Sequence, residues 1–230
     1  MRNTLYQQLF GRDDNVAAHN PPRLPTYNNA VLQRLHTTPP VPDDFVLFHV
    51  KHDPTTTIIV ADVQPKIRTI HMVAGGFKTH EFRVSLPYIV VCINLARWDH
   101  TVTFSSATLH YRVAPLRSLD DMLSRSNLPN MLYQEQICVG DTADLQHDLD
   151  RAHNDHDRAH AFLNDFWARP FSDHAFGHFT QSRTLHHAFR SLADWEAHSR
   201  RDPGFILRIP WQPLSTLRQH LAHFNAGFLL

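Results

Sequence analysis

The feature of this sequence that most constrains its fold is a series of strand-like segments between residues 45 and 112. The segments are rich in Val, Ile, Thr and Phe, and short turns separate them. No helical pattern intervenes, so neighbouring segments are expected to pair antiparallel as a β-meander of about five strands. The segments are Phe45–Val50, Thr55–Val63, Ile67–Val73, His80–Cys92 with a pivot at Pro87, Thr101–Phe104 and Ala107–Arg112.

Helical patterns flank this β-rich segment. Apolar residues from Leu145 to Phe166 recur at alternating steps of three and four, which predicts one long helix that ends at Pro170. A single helical turn is expected at Ser118–Leu123, before a last extended segment over Met131–Val139. Further helices are expected at Met1–Phe10, Tyr27–Leu35, Arg183–His198 and Pro213–Phe224.

These patterns predict an α+β fold with one principal domain. Residues 1–42 are expected to form a helical and proline-rich extension, because Pro39-Pro40-Val41-Pro42 stops the second short helix. Residues 43–180 are expected to form the α+β domain itself. Residues 181–230 are expected to be a helical elaboration packed on the same domain.

Composition excludes several classes of protein. Lys and Arg together number 22, as do Asp and Glu, so no net field attracts nucleic acid or an anionic membrane. No apolar run approaches the roughly 20 residues that span a bilayer, and Met1–Thr4 is not followed by the apolar core of a signal peptide. A cytoplasmic protein is therefore expected, with Cys92 and Cys138 as free thiols.

Cys138 is the main candidate for a reactive side chain. It follows Ile137 at the end of an expected strand and precedes the sequence Val139-Gly140-Asp141, where a helix is expected to begin. A helix N-terminus is one environment that stabilises thiolates. The alternative is a small apolar residue within a strand, which is also the role expected for Cys92.

Histidine is unusually frequent, with 19 residues, and more than half of them follow residue 146. His174 and His178 lie four positions apart, beside Asp173, so either could act as a base for a nearby nucleophile or the pair could hold a metal ion. The alternative is a packed aromatic turn.

Three further histidines, His153, His156 and His160, share one face of the expected long helix and could bind Zn²⁺ or Ni²⁺ adventitiously. No His-Glu-x-x-His motif accompanies them. Gly75-Gly76 lacks the further residues of a nucleotide-binding loop. The sequence therefore predicts neither a metal nor a nucleotide cofactor.

A set of short motifs follows in a recognisable order: a buried strand, a Pro-Leu corner, an Asn-containing flap, a Cys-Gly pair and a helix with aromatic residues and a histidine. In this order the segment over residues 45–179 resembles the prokaryotic family D of the ubiquitin-conjugating-enzyme-like fold. The motifs are Leu86–Val91, Tyr111–Leu116, Leu128-Pro129-Asn130, Ile137–Gly140, Phe162–Trp167 and Phe171–His174.

The resemblance implies that Cys138 accepts an acyl group from a ThiF-type activating enzyme as a thioester and passes it to an amine. Asn130 is then expected to polarise the acyl oxygen, and His174 or His178 to relay a proton. The implied partner is a bacterial ubiquitin-like modifier. Three alternatives stay open, namely an inactive adaptor in such a system, a non-catalytic protein-interaction module, and a metal-dependent enzyme that uses the C-terminal histidines.

Overall fold

The computed structural model describes residues 45–74, 78–99, 101–172 and 177–226. Over these residues the chain has an α+β fold, as the sequence predicts. The predicted helices Met1–Phe10 and Tyr27–Leu35, the pair Gly75-Gly76 and the candidate His174 lie outside the described residues. Within the described residues, no helix has both the length and the apolar character needed to cross a bilayer.

Strands dominate the first half of the described chain and helices the second. The strands are β1 (Phe45–His52), β2 (Thr56–Val63), β3 (Lys66–Ala74), β4 (Lys78–Leu86), β5 (Tyr88–Trp98), β6 (Thr101–Arg112), β7 (Met122–Arg125), β8 (Phe171–Ser172) and β9 (Pro213–Thr216). The α-helices are α1 (Ala143–Arg151), α2 (Asp155–Ala168), α3 (Gly177–Ser182), α4 (Leu192–Arg201) and α5 (Leu217–Ala226). Short 3₁₀ segments occur at Tyr133–Glu135, His187–Phe189 and Pro203–Arg208.

The main sheet is antiparallel and has six strands in the order β1-β2-β5-β6-β7-β9. The predicted meander is interrupted because the hairpin of β3 and β4 leaves this sheet. The hairpin forms a second sheet in the order β4-β3-β8, in which β8 runs parallel to β3. β2 pairs along its whole length with β5, from Thr56 opposite Ala96 to Val63 opposite Ile89. Neither β3 nor β4 can therefore lie between these two strands.

The central strands are buried on both faces. In β2, Ile59 and Ala61 belong to the main core, whereas Ile58 and Val60 face a second cluster on the opposite side of the sheet. Leu217 of α5 lies in that second cluster. Both faces of the sheet are thereby covered, which is why these strands read as continuous apolar runs.

The predicted long helix is two helices. The break comes at Asn154, whose side chain accepts a 2.9 Å hydrogen bond from the backbone N–H of Asp157, while the Asp157 carboxylate accepts a 3.1 Å bond from the N–H of His153. These two bonds cap the N-terminus of α2, with Asn154 as the N-cap residue, and they start α2 independently of α1. The period of the apolar residues continues across the break, because α1 and α2 share the same core.

Other predicted elements also differ from the structure, and the helix predicted at Arg183–His198 is replaced by the 3₁₀ segment His187–Phe189 and by α4. β6 is one continuous strand in place of two, and the first four residues of the predicted final helix form β9. The predicted helical turn at 118–123 is wrong, because the carboxylate of Asp121 accepts the backbone N–H groups of Arg117 and Ser118 and closes a non-helical turn before β7.

Candidate functional site

The predicted site residues Asn130 and Cys138 meet on a short hairpin beside β6. The backbone N–H of Cys138 donates a 2.8 Å hydrogen bond to the carbonyl of Asn130, and Met131 is bridged to Ile137. The N–H of Ile137 also donates to the carbonyl of Ala107 at 2.8 Å, which ties the hairpin to β6. The flap and the cysteine of the sequence prediction are thus two arms of one structure, here called the rim hairpin (residues 130–138).

The two cysteines have opposite environments. Cys138 is exposed on the rim hairpin, and no side chain of the described residues hydrogen-bonds to its thiol. Cys92 is fully buried on the second face of β5, and burial raises the pKa of its thiol to about 12. Only Cys138 of this pair is therefore available as a nucleophile at neutral pH.

The side chain of Asn130 is engaged with β8. Its Oδ1 accepts hydrogen bonds from the N–H of Ser172 at 2.9 Å and from the hydroxyl of Ser172 at 3.2 Å. Its Nδ2 donates to the carbonyl of Pro170 at 3.4 Å. Asn130 has a positive φ of 63°, a conformation that Asn tolerates better than most residues. This side chain joins the rim hairpin to the segment that follows α2.

Arg169 fixes the other end of the rim hairpin. Its guanidinium is bidentate to the Asp165 carboxylate, at 2.6 and 2.8 Å, and it also donates to the carbonyl of Val139. Burial raises the pKa of Asp165, and the Arg169 charge opposes that shift. Gly140 follows with a φ of 62°, where a side chain would be strained, so the chain turns away directly after the cysteine.

His178 lies with Glu135 on the inner side of the same hairpin. Its Nδ1 is 3.3 Å from Oε2 of Glu135, and Nε of Arg125 is 3.1 Å from Oε1. The Glu135 side chain is only 4% exposed and also accepts the backbone N–H of Ser126 at 3.3 Å. His178 therefore has a structural partner, and its contact is to Glu135.

A cavity of about 310 Å³ opens beside His178. Most of its lining residues are polar, and Leu185 and Trp211 are apolar. Its lining residues include Arg125, Ser126, Asn127, Ser182 and Trp211. Among the described residues, no group of three or more His, Cys, Asp or Glu side chains is placed to hold a metal ion.

Sequence reasoning missed the residues that hold the rim hairpin, namely Asp165, Arg169, Arg125 and Glu135. The four-residue spacing of Asp165 and Arg169 on a helix is a readable signal for an ion pair. The bond from Arg169 to Val139 is not readable in this way, because it depends on how α2 packs.

No protein-family model, curated protein or solved structure matches this chain.

Proposed function

We propose that the chain is a ubiquitin-conjugating-like protein that carries the acyl group of a ubiquitin-like modifier as a thioester on Cys138. The observation that carries the proposal is the exposed Cys138 thiol on a hairpin whose backbone is bonded to Asn130 and Ala107. The order of strands, flap, cysteine and helices supports it. The proposal assigns the protein to the cytoplasm, where thiols stay reduced.

In the proposed reaction, the Cys138 thiolate attacks the acyl carbon of a thioester held by a ThiF-type activating enzyme. A bond forms between Sγ and this carbon, the carbon–sulfur bond to the activating enzyme breaks, and the departing thiolate takes up a proton. An amine then attacks the same carbon, which gives an amide and returns Cys138 as a thiol.

Asn130 is proposed to stabilise the oxyanion that forms in both steps. Its Nδ2 carries two hydrogens, and one of them points to Pro170. The second hydrogen is assigned to the acyl oxygen. The proton relay is assigned to His174 or to His178, and His178 must then leave Glu135 to serve it.

A second candidate function, a non-catalytic interaction module, is favoured by the tip of the rim hairpin. Tyr133 is 85% exposed and Leu132 is 40% exposed, so two neighbouring large side chains present apolar surface to solvent on one tight turn. The engagement of the Asn130 carboxamide with Ser172 also agrees with a structural role. In this function the tip docks the ubiquitin-like protein and Cys138 forms no thioester.

The carrier function is tested by acyl exchange with a synthetic peptide that ends in glycine and is prepared as its mercaptoethanesulfonate thioester. The full chain is incubated with the peptide at pH 7.5, and intact mass is followed with and without hydroxylamine. We expect one hydroxylamine-labile acyl group in the wild type and in Cys92→Ala, and none in Cys138→Ala. The rate in the native chain is expected to exceed the rate of Cys138 in chain unfolded by guanidinium.

A native rate below the unfolded rate contradicts the carrier function, because the fold then hinders the thiol. The same holds if the acylated chain loses its acyl group no faster in lysine than in plain buffer. The interaction module predicts that Cys138→Ser binds the purified ubiquitin-like protein as the wild type does, and that Tyr133→Ala binds it at least tenfold more weakly.

A further inference from the structure

Two histidines from different elements face each other beside the last turn of α4. His187 belongs to the 3₁₀ segment His187–Phe189, and His198 lies on α4 itself. Their Nε2 atoms are 2.9 Å apart. His187 is exposed and His198 is half-buried, so ions in solution can reach the pair.

The hydrogen bond made by Nδ1 of His198 determines whether its Nε2 carries a proton. Its Nδ1 lies 2.8 Å from the backbone carbonyl of Asp194. Because a carbonyl only accepts, Nδ1 carries the proton, and in the neutral ring Nε2 accepts a hydrogen bond from the Nε2–H of His187. An ion that binds both Nε2 atoms takes the place of this proton, which His187 gives up to solvent. Histidines that bind metals commonly have this arrangement, in which the other N–H donates to a backbone carbonyl.

The distances between the two rings match two ligands bound side by side to one ion. If each Nε2 lies about 2.05 Å from a metal and the two bonds make a right angle, the nitrogens are about 2.9 Å apart and the ring centroids about 4.5 Å apart. The structure has 2.9 Å between the nitrogens and 4.6 Å between the centroids. A tetrahedral ion requires about 3.3 Å between the same nitrogens.

We propose that His187 and His198 bind one divalent transition-metal ion of tetragonal preference, with Cu²⁺ bound most tightly and Ni²⁺ next. Right-angled nitrogen donors are typical of these ions, and nitrogen sites bind Cu²⁺ most tightly among the divalent first-row metals. Water completes the coordination, since the described residues place no third His, Cys, Asp or Glu in the group. The site is independent of Cys138.

His186 supports the pair without offering its Nδ1 as a ligand. Its ring lies 4.1 Å from the ring of His187, centroid to centroid, and its Nδ1 accepts the backbone N–H of Ala188 at 3.1 Å. Phe205 lies 5.8 Å from the ring of His198. The two ligating rings are therefore held by packing on both sides before any ion binds, which reduces the cost of ordering them.

The test is titration of the full chain with CuCl₂ at pH 7.5, with affinity measured by calorimetry and coordination by electron paramagnetic resonance. We expect the first equivalent of Cu²⁺ to show a tetragonal spectrum with two nitrogen donors. His187→Gln and His198→Gln are each expected to weaken that binding at least tenfold. His223→Gln is the matched control, because His223, like His198, is a helical histidine whose Nδ1 lies close to a carbonyl one turn back, at 2.7 Å from that of Gln219. It is expected to change the affinity less than twofold.

The proposal is overturned if His198→Gln binds Cu²⁺ as tightly as the wild type. It is also overturned if the spectrum of the first equivalent shows no nitrogen donors, or if neither substitution changes the nitrogen signal. A second measurement uses only the wild type, so that its result does not depend on whether the variants fold. One tenth of an equivalent of Cu²⁺ should broaden the ring resonances of His187 and His198 before those of His223. The reverse order also overturns the proposal.

Discussion

The backbone N–H of Cys138 donates a 2.8 Å hydrogen bond to the carbonyl oxygen of Asn130, so the two residues lie opposite each other on the rim hairpin. The bond positions the cysteine through its backbone and leaves the thiol exposed. The Asn130 side chain, in contrast, is bonded to Ser172 and Pro170. In the proposed carrier the nucleophile is held by the main chain, and the oxyanion donor is held by a second segment of the fold.

The two thiols are expected to differ sharply in alkylation. Iodoacetamide at pH 7.5 should modify Cys138 rapidly, whereas Cys92 should react more than about a thousandfold more slowly, because burial keeps its thiol protonated and inaccessible. Peptide mapping by mass spectrometry after timed quenching measures both rates in one sample. Cys138→Ala should remove the fast adduct, and prompt modification of Cys92 in folded protein would contradict the burial seen here.

Two substitutions at Asn130 separate its backbone conformation from its carboxamide. Asn130→Gly accepts the positive φ and loses only the bonds to Ser172 and Pro170, which should lower the free energy of unfolding by about 1 kcal/mol. Asn130→Ala loses the same bonds and adds backbone strain, for a loss of about 2 kcal/mol. Urea unfolding of both variants checks the order, and equal losses would mean that the φ at this position carries no cost.

The sequence indicated that Asn130 and Cys138 lie on neighbouring segments, but it predicted one extended segment over Met131–Val139. The chain instead folds back on itself through the 3₁₀ segment Tyr133–Glu135, which makes these residues a hairpin. The sheet to which each strand belongs could not be predicted in the same way. β3 and β4 have the same Val- and Ile-rich local pattern as their neighbours, and only the full-length pairing of β2 with β5 excludes them from the main sheet.

The residues that support the site could not be predicted from the sequence for a different reason. Gln134 and Glu135 have φ of 58° and 62°, although neither residue type favours this conformation, so nothing local indicates that the Glu135 side chain points inward. His187 and His198 are eleven positions apart, and they meet only because α4 folds back on the 3₁₀ segment before it. Contacts of this kind are set by packing and leave no periodic signal.

Glu135 is expected to stabilise the fold through its ion pair with Arg125, in which the carboxylate is buried. Glu135→Gln keeps the shape of the side chain but removes the charge that Arg125 contacts. Leaving the Arg125 guanidinium without its carboxylate should cost about 2–3 kcal/mol of unfolding free energy. Chemical denaturation at pH 7.5 measures the loss. Arg218→Gln is the control, because Arg218 pairs with Asp120 where both side chains are mostly exposed, and it should hardly move the midpoint.

A pair of imidazoles, one buried and one half-buried, should make the fold sensitive to mild acid. The Nε2 atoms of His110 and His220 lie 3.3 Å apart on the second face of the sheet, beneath α5, and the Thr108 hydroxyl is within hydrogen-bond distance of both. Burial, with a smaller contribution from His223, lowers the pKa of His220 from 6.5 to about 4. Burial and the nearby His220 hold the pKa of His110 well below 6.5.

Because both pKa values are lower in the folded chain, protons bind the unfolded chain first. Stability is therefore full above pH 6.5 and is lost as the pH falls toward 4, and His220 alone accounts for about 3 kcal/mol of that loss. Urea unfolding between pH 7.5 and 4.5 measures the slope. His220→Gln, which stays neutral and can still bond to Thr108, should flatten it, and His223→Gln should leave most of it. A slope that survives His220→Gln unchanged would mean that the acid sensitivity arises elsewhere in the chain.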